Sequence, residues 1–395
     1  MMKSTKLALA VGISMLTFSS AWAQEVKFGF NGDISASPSA LSGQAAVIGI
    51  ELAIKDINEA GGLNGQKVVL EKRDDLSAPP KSIQNMSDLI DNEKAVAIFG
   101  PSNSGNALAW KHLPNGKHVI SMGCIGSGTE ITSPVDGQDN YMFRVSMVDK
   151  SQVAAIMAYV AKAGKDKKLG YIVESTGYGQ GALKDLEAIQ ELHGMKPELV
   201  ETIGVNDTDA TSQLSKLQAA GVETVVVWAQ GTAIGQVLRS MEKLNYFPLT
   251  LTSWAADNAS FFNLAGPKLA ELPIFMRTIP NTYDGKLAEY YERVKEQIPS
   301  PGSFSFAAHC YDATMIVAQA IKQANSTDGP ALKAALENLS APYEGVIKTY
   351  DKPFSAEDHE ALKASDFRFT RWKDSKLVEY TDDVITSLTA EDYKQ

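Results

Sequence analysis

Residues 171–194 read YIVESTGYGQGALKDLEAIQELHG. Within them Gly177, Gly179 and Ala182 fit the spacing G-x-G-x-x-G/A, between an apolar run, Tyr171–Val173, and a helical stretch from Ala182 to His193. In a dinucleotide-binding unit such glycines let the chain turn tightly beside a pyrophosphate, and an acid about twenty residues on holds the ribose. Glu198 and Glu201 stand near that distance. One reading is therefore an exported NAD-dependent oxidoreductase. The other is a glycine-rich turn with positive φ and close backbone approach, serving a different ligand.

No catalytic constellation accompanies the motif. Gly100-Pro101-Ser102-Asn103-Ser104 lacks the closing glycine of a nucleophile elbow, and neither H-E-x-x-H nor a phosphate-binding P-loop occurs. His112, His118, His193, His309 and His359 are scattered without ligand spacing. His309 sits in an apolar helical run that reads as core, and His359 in a polar segment that reads as surface. Cys124 and Cys310 form no C-x-x-C or Cys/His cluster, so no metal or other cofactor is expected. Two buried thiols are the simpler expectation; a disulfide is permitted in an exported chain.

The N-terminus assigns the compartment. Lys3 and Lys6 precede an apolar run, Leu7–Phe18, and then Ala21-Trp22-Ala23. This predicts a signal peptide over residues 1–23 and a mature periplasmic chain from Gln24. Removing the two lysines takes the formal charge from −10 to −12. Without a basic cluster, nucleic acid is not an expected partner. The remaining 372 residues exceed one ordinary core and predict two domains.

Strands and helices alternate: strands near 26–30, 68–72, 95–99 and 118–122, helices near 45–60, 82–91 and 106–113, with a second set of four βα units over 169–253. The class is α/β, with parallel sheets covered on both faces. Val225–Trp228, continuously apolar, fits a strand buried on both sides. Seams fall near 145 and 278. Ligands bind beyond the carboxyl ends of such strands, which selects loops 31–43, 100–105, 123–132, 175–181, 229–232 and 254–258.

The segments GIELAIKDINEAGGLNGQKVVLEKRDD, AIFGPSNSGNALA, VISMGCIGSGTEIT, YMFRVSMVD, ESTGYGQGA and AAHCYDA stand in the order found in one family. The chain resembles the leucine/isoleucine/valine-binding class of periplasmic solute-binding proteins that serve ABC importers. The resemblance implies two doubly wound lobes joined by a hinge of three crossings, the third near Asp366, with the ligand in the cleft between them. Lobe one would hold 24–146 and 279–366, and lobe two 147–278 and 367–395. The implied partners are an inner-membrane permease with its ATPases, met by a monomer; a sensor of the same fold, serving a signalling partner, is the alternative.

The family pattern also implies site residues. Ser104, close to the N-cap of the helix from Asn106, and Ser127, with the backbone of Ile125, would bind a ligand carboxylate. Tyr178 would close over the ligand, and Gln230 would reach the cleft from a lobe-two strand end. Trp228 reads as core. Where amino-acid binders of this class carry a glutamate for the ligand ammonium, this chain places Trp254. An unpaired ammonium in a closed cleft is costly, whereas indole offers a flat apolar face. The expectation is a small carboxylate with an aromatic or bulky apolar body and no cofactor. A branched-chain or aromatic amino acid is the alternative, with Asp257 as the acid or Trp254 in cation–π contact.

Overall fold

The computed structural model describes residues 25–35, 39–164 and 167–395, so the predicted signal peptide lies outside the described residues. Five strands build the first sheet: β1 (Val26–Gly32), β2 (Val68–Asp74), β3 (Ala97–Phe99), β4 (Ile120–Gly123) and β5 (Met142–Arg144). Their order is β2-β1-β3-β4-β5, every pairing parallel, with Phe28 opposite Leu70 on one side and Ala97 on the other. Side chains alternate between faces. Phe28, Phe30 and Phe99 pack towards α1 (Ala40–Glu59), while Ile98 joins Met86, Leu89 and Trp110. Those three belong to α2 (Pro79–Asp91) and α3 (Ser104–Trp110); α4 (His112–Lys117) follows after a break, where one continuous helix was expected.

The chain crosses to lobe two at α5 (Asp149–Ala163). There β6 (Leu169–Glu174), α6 (Gly177–Leu192), β7 (Leu199–Ile203), α7 (Thr211–Ala219), β8 (Thr224–Trp228), α8 (Gly231–Leu244) and β9 (Leu249–Thr252) form a parallel sheet ordered β7-β6-β8-β9. Val225 and Val227 face the cluster of α7 and α8, and Val226 and Trp228 face that of α5 and α6. The apolar run is thus buried on both sides. After α9 (Ala259–Ala270), β10 (Phe275–Arg277) adjoins β9 through a bridge between Leu251 and Ile274.

The return to lobe one brings α10 (Gly285–Val294), α11 (Phe304–Ala324), α12 (Gly329–Glu337) and the short strands β11 (Tyr343–Glu344) and β12 (Thr349–Tyr350). α11 lies along α1 so closely that a Cβ on Gly49 would come within 2.1 Å of the Ala307 carbonyl oxygen. The third crossing follows Asp366, after which β13 (Arg368–Lys373) pairs antiparallel with both β10 and β14 (Lys376–Glu379). α13 (Asp383–Thr386) and the C-terminal tail strap onto α5, where Tyr159 Oη donates to Asp382 at 2.8 Å and Lys162 Nζ meets Asp392 at 2.8 Å. No helix among the described residues is long and apolar enough to cross a membrane.

Two expectations are corrected. Cys124 and Cys310 are joined in a disulfide, tying the loop after β4 to α11 within lobe one. His359 is buried rather than on the surface: its ring stacks on Phe143 at 3.8 Å, and its nitrogens meet Met142 O and Glu337. Nearby Arg144, fully buried, binds Glu360 and the Gly128 carbonyl, fixing the segment before the third crossing against β5.

Candidate ligand cleft

A cavity lies between the carboxyl ends of the two parallel sheets. Ser104, Ile125, Ser127, Tyr178, Gln230 and Trp254 all line it, brought together from loops of both lobes. Among the described residues no charged side chain is part of its lining.

On the lobe-one side, Ser104 is the first residue of α3, and Asn103 is its cap, accepting from Gly105 N at 2.8 Å. The capping role expected of Ser104 belongs to its neighbour. Ser104 Oγ instead accepts from Gly128 N at 3.0 Å, which leaves its proton to donate. Ser127 Oγ accepts from Trp254 Nε1 at 3.0 Å. Ile125 O accepts from Ser146 Oγ, so this loop is pinned from behind.

On the lobe-two side, the opening motif forms the first turn of α6. None of Gly177, Gly179 and Gly181 has the positive φ expected of them. Their requirement is proximity: a Cβ on Gly179 would meet Glu174 O at 2.1 Å, and one on Gly177 would meet Gly105 Cα of lobe one at 2.8 Å. The turn is thus packed against backbone of its own lobe on one side and of lobe one on the other. Tyr178 is buried, and its hydroxyl has no hydrogen-bond partner among the described residues. Burial holds its pKa well above the usual tyrosine value.

Gln230 precedes α8 and is held by Glu174 at the end of β6. Its backbone N–H donates to Glu174 Oε2 at 2.8 Å and its Nε2 to Oε1 at 3.1 Å. Burial raises the pKa of Glu174, opposed by these donors and by Thr176. Trp254 receives its own anchor from Gln152 Oε1, which accepts from its backbone N–H at 2.9 Å. Its ring packs on Phe306 at 4.8 Å and His309 at 5.6 Å, both from α11. Trp228 is fully buried core, as expected.

The lobes are closed on each other. Thr129 Oγ1 donates to Asp185 Oδ2 at 2.7 Å, Asn258 Nδ2 bonds Ser42 Oγ, and Ala259 N donates to Ser303 Oγ at 3.0 Å. Asp257 is not the acid of the cleft. It is buried in an ion pair with Arg277, Nε to Oδ2 at 2.7 Å, and also accepts from Ser305. Its side chain is absent from the cavity lining.

Sequence reasoning missed two participants. Phe306 lines the cavity from a helix whose apolar periodicity reads as core, while Ser42, within the expected loop 31–43, lines it from the first turn of α1. Asp149 opens α5 directly behind the wall: Oδ1 accepts from Gln152 Nε2 at 2.9 Å, while Oδ2 is buried without a partner among the described residues. Burial pushes its pKa up to about 7, opposed by the Ser127 hydroxyl. An acid at the first turn of a helix is ordinarily explained by the helix dipole, which concealed it. Among the described residues no group of His, Cys, Asp or Glu could hold a metal ion.

Known proteins share this fold. The family profile described as "Periplasmic binding protein" matches residues 25–376. The "Leu/Ile/Val-binding protein homolog 3" of Brucella melitensis is 25% identical over 379 residues, 96% of this chain and 98% of that protein. A periplasmic binding protein type 1 from Bordetella pertussis, 26% identical, superposes with a TM-score of 0.80 over 90% of this chain and 100% of that one. A solute-binding protein of an ABC transporter from Rhodopseudomonas palustris, solved with 3,4-dihydroxybenzoic acid, shares the fold at 19% identity, with a TM-score of 0.75 over 90% of this chain and 96% of its own. Two closed α/β lobes, three crossings and a family match over residues 25–376 place this chain in the periplasmic binding protein family, among the substrate-binding proteins of branched-chain-amino-acid-type ABC transport.

Proposed function

We propose that this chain captures a small aromatic carboxylate by closure of its lobes and delivers it to an inner-membrane permease with its ATPases. The observation that carries this reading is Trp254. It is buried at the cavity wall beside Phe306, and by the family resemblance it takes the position where amino-acid binders of the class carry an ammonium-pairing glutamate. Ser104, with its proton free to donate, and Ser127 offer the carboxylate end; Trp254, Phe306 and Tyr178 offer flat apolar walls. The fold relative solved with 3,4-dihydroxybenzoic acid supports the same ligand class. The working lobes are 24–146 with 279–366, and 147–278 with 367–395, acting as a periplasmic monomer after loss of residues 1–23.

An amino-acid ligand is the second reading, favoured by the unpartnered oxygen of Asp149 behind the cavity and by the name of the Brucella relative. Thermal unfolding of the mature protein, refolded from denaturant to remove bound ligand, separates the two. Ligand at about 100 times its dissociation constant adds roughly 2.7 kcal/mol to stability. Stabilisation by aromatic acids lacking an amino group, and none by amino acids, is the expected result. Stabilisation by amino acids alone would transfer the site to the second reading.

A further inference from the structure

The amide of Gln230 has two faces of opposite chemistry, and Glu174 decides which one turns where. Glu174 serves as an acceptor here, taking the Thr176 hydroxyl on Oε1 and the Gln230 backbone N–H on Oε2. Nε2 must therefore be the atom facing Glu174, as the 3.1 Å contact has it, and Oε1 must face away. Glu174 is itself immobilised. It is fully buried at the end of β6, and the backbone N–H of Gln230 and the hydroxyl of Thr176 bind its two oxygens. Gln230 lines the cavity, and its Oε1 is buried without a hydrogen-bond partner among the described residues. The hydroxyl of Tyr178, on the same lobe and lining the same cavity, is likewise buried and unpartnered among them.

We propose that Glu174 orients Gln230 so that its Oε1 is a fixed hydrogen-bond acceptor for the ligand, and that the cleft thereby selects ring-hydroxylated aromatic carboxylates over those without a hydroxyl. The inference rests on the aromatic reading above and names which members of that class the site takes. Gln230 is the specificity-determining residue and Glu174 a positioning residue. The chemistry is divided between the lobes: Ser104 and Ser127 of lobe one meet the carboxylate, and Gln230 of lobe two meets the hydroxyl. A ligand with both groups bridges the cleft. A ligand without the hydroxyl leaves Oε1 buried and unpaired on closure, and sites built to bond a hydroxyl reject analogues that lack it.

The test is isothermal titration of the ligand-stripped mature protein with benzoate, 4-methoxybenzoate, 3- and 4-hydroxybenzoate and 3,4-dihydroxybenzoate, with leucine and phenylalanine alongside. Methoxybenzoate keeps an oxygen at the hydroxyl's position but cannot donate. The best hydroxylated acid should bind roughly tenfold or more tightly than benzoate and methoxybenzoate. In Glu174→Gln the new amide can face Gln230 either way, so the Gln230 amide is free to flip and the ratio should fall towards unity. In Gln230→Met, which serves if the first variant does not fold, the acceptor is gone and the ratio should fall likewise. The ratio is the readout because a merely structural loss lowers all affinities together. Aromatic acids binding without a hydroxyl preference, or a preference that survives in both variants, overturns this inference and leaves the aromatic reading standing. Binding confined to leucine and phenylalanine overturns the aromatic reading and this inference with it.

Discussion

Replacing Asp149 by asparagine should make the ligand-free protein more stable at neutral pH, and the gain should vanish in acid. Asp149 is fully buried, and its carboxyl titrates at about 7 rather than the ordinary 3.8. Burial is the main cause; Asp185 on α6 adds to the rise, while Ser127, Arg144 on β5 and Trp228 oppose it. An acid whose pKa is raised on folding binds a proton more tightly in the folded state. Between pH 3.8 and about 7 the folded chain therefore holds a proton that the unfolded chain has lost, and stability falls as pH rises through that window. At about 1.4 kcal/mol per unit, the full rise corresponds to roughly 4 kcal/mol against the ionised form above pH 7. The asparagine side chain keeps the shape and the acceptor for Gln152 and never ionises. Its amide nitrogen would stand where Oδ2 has no partner, which adds a constant offset, so the slope carries the test. Urea unfolding of both proteins from pH 4 to pH 8 should show the stability difference moving by about 2–4 kcal/mol in favour of the Asp149→Asn variant as pH rises. A difference that is flat with pH would refute the reasoning, because it would mean that Asp149 does not carry its strain as charge.

Trp254→Ala should weaken binding of an aromatic carboxylate by at least tenfold in a titration, since it removes both the wall and the indole donor to Ser127; unchanged affinity would exclude stacking on Trp254. Thr129→Val removes the 2.7 Å contact to Asp185 across the cleft, and small-angle scattering with titration should show a shift towards open lobes and an affinity loss of about 2- to 10-fold. Asp257→Ala leaves the buried Arg277 guanidinium without its carboxylate and should destabilise lobe two's edge by about 3–5 kcal/mol in urea unfolding. Unfolding in the presence of a reductant should lower stability by roughly 3–5 kcal/mol, as the Cys124–Cys310 link closes a long loop in the unfolded chain.

The layered α/β architecture was legible because alternating βα units impose their own periodicities, and every expected cleft loop could be located from strand ends alone. Ser104 shows the limit of that resolution. Asn103 and Ser104 are both capping residue types, and only coordinates decide which one caps. Asp149 and Phe306 were not legible, because each has a sufficient local explanation and acquires its place at the cleft only through packing. The disulfide was illegible for a related reason: Cys124 and Cys310 meet through the approach of α11 to the β4 loop, which no spacing encodes. His359 misleads because its sequence neighbours are polar, while its own ring lies on Phe143.

The seating of α11 on α1 sets the order in which the molecule can be made. A ribosome delivers α1 and β1 to β5 first, then all of β6 to β9, and only later α11. The lobe-two sheet is contiguous in the chain and can condense as soon as it is complete. Lobe one, begun first, keeps the apolar flank of α1 bare until the nascent chain has come back to it, and the sulfur of Cys124 waits equally long for Cys310. The first-made half of this protein is thus the last to be sealed, and it is the half for which a holding chaperone would have work to do.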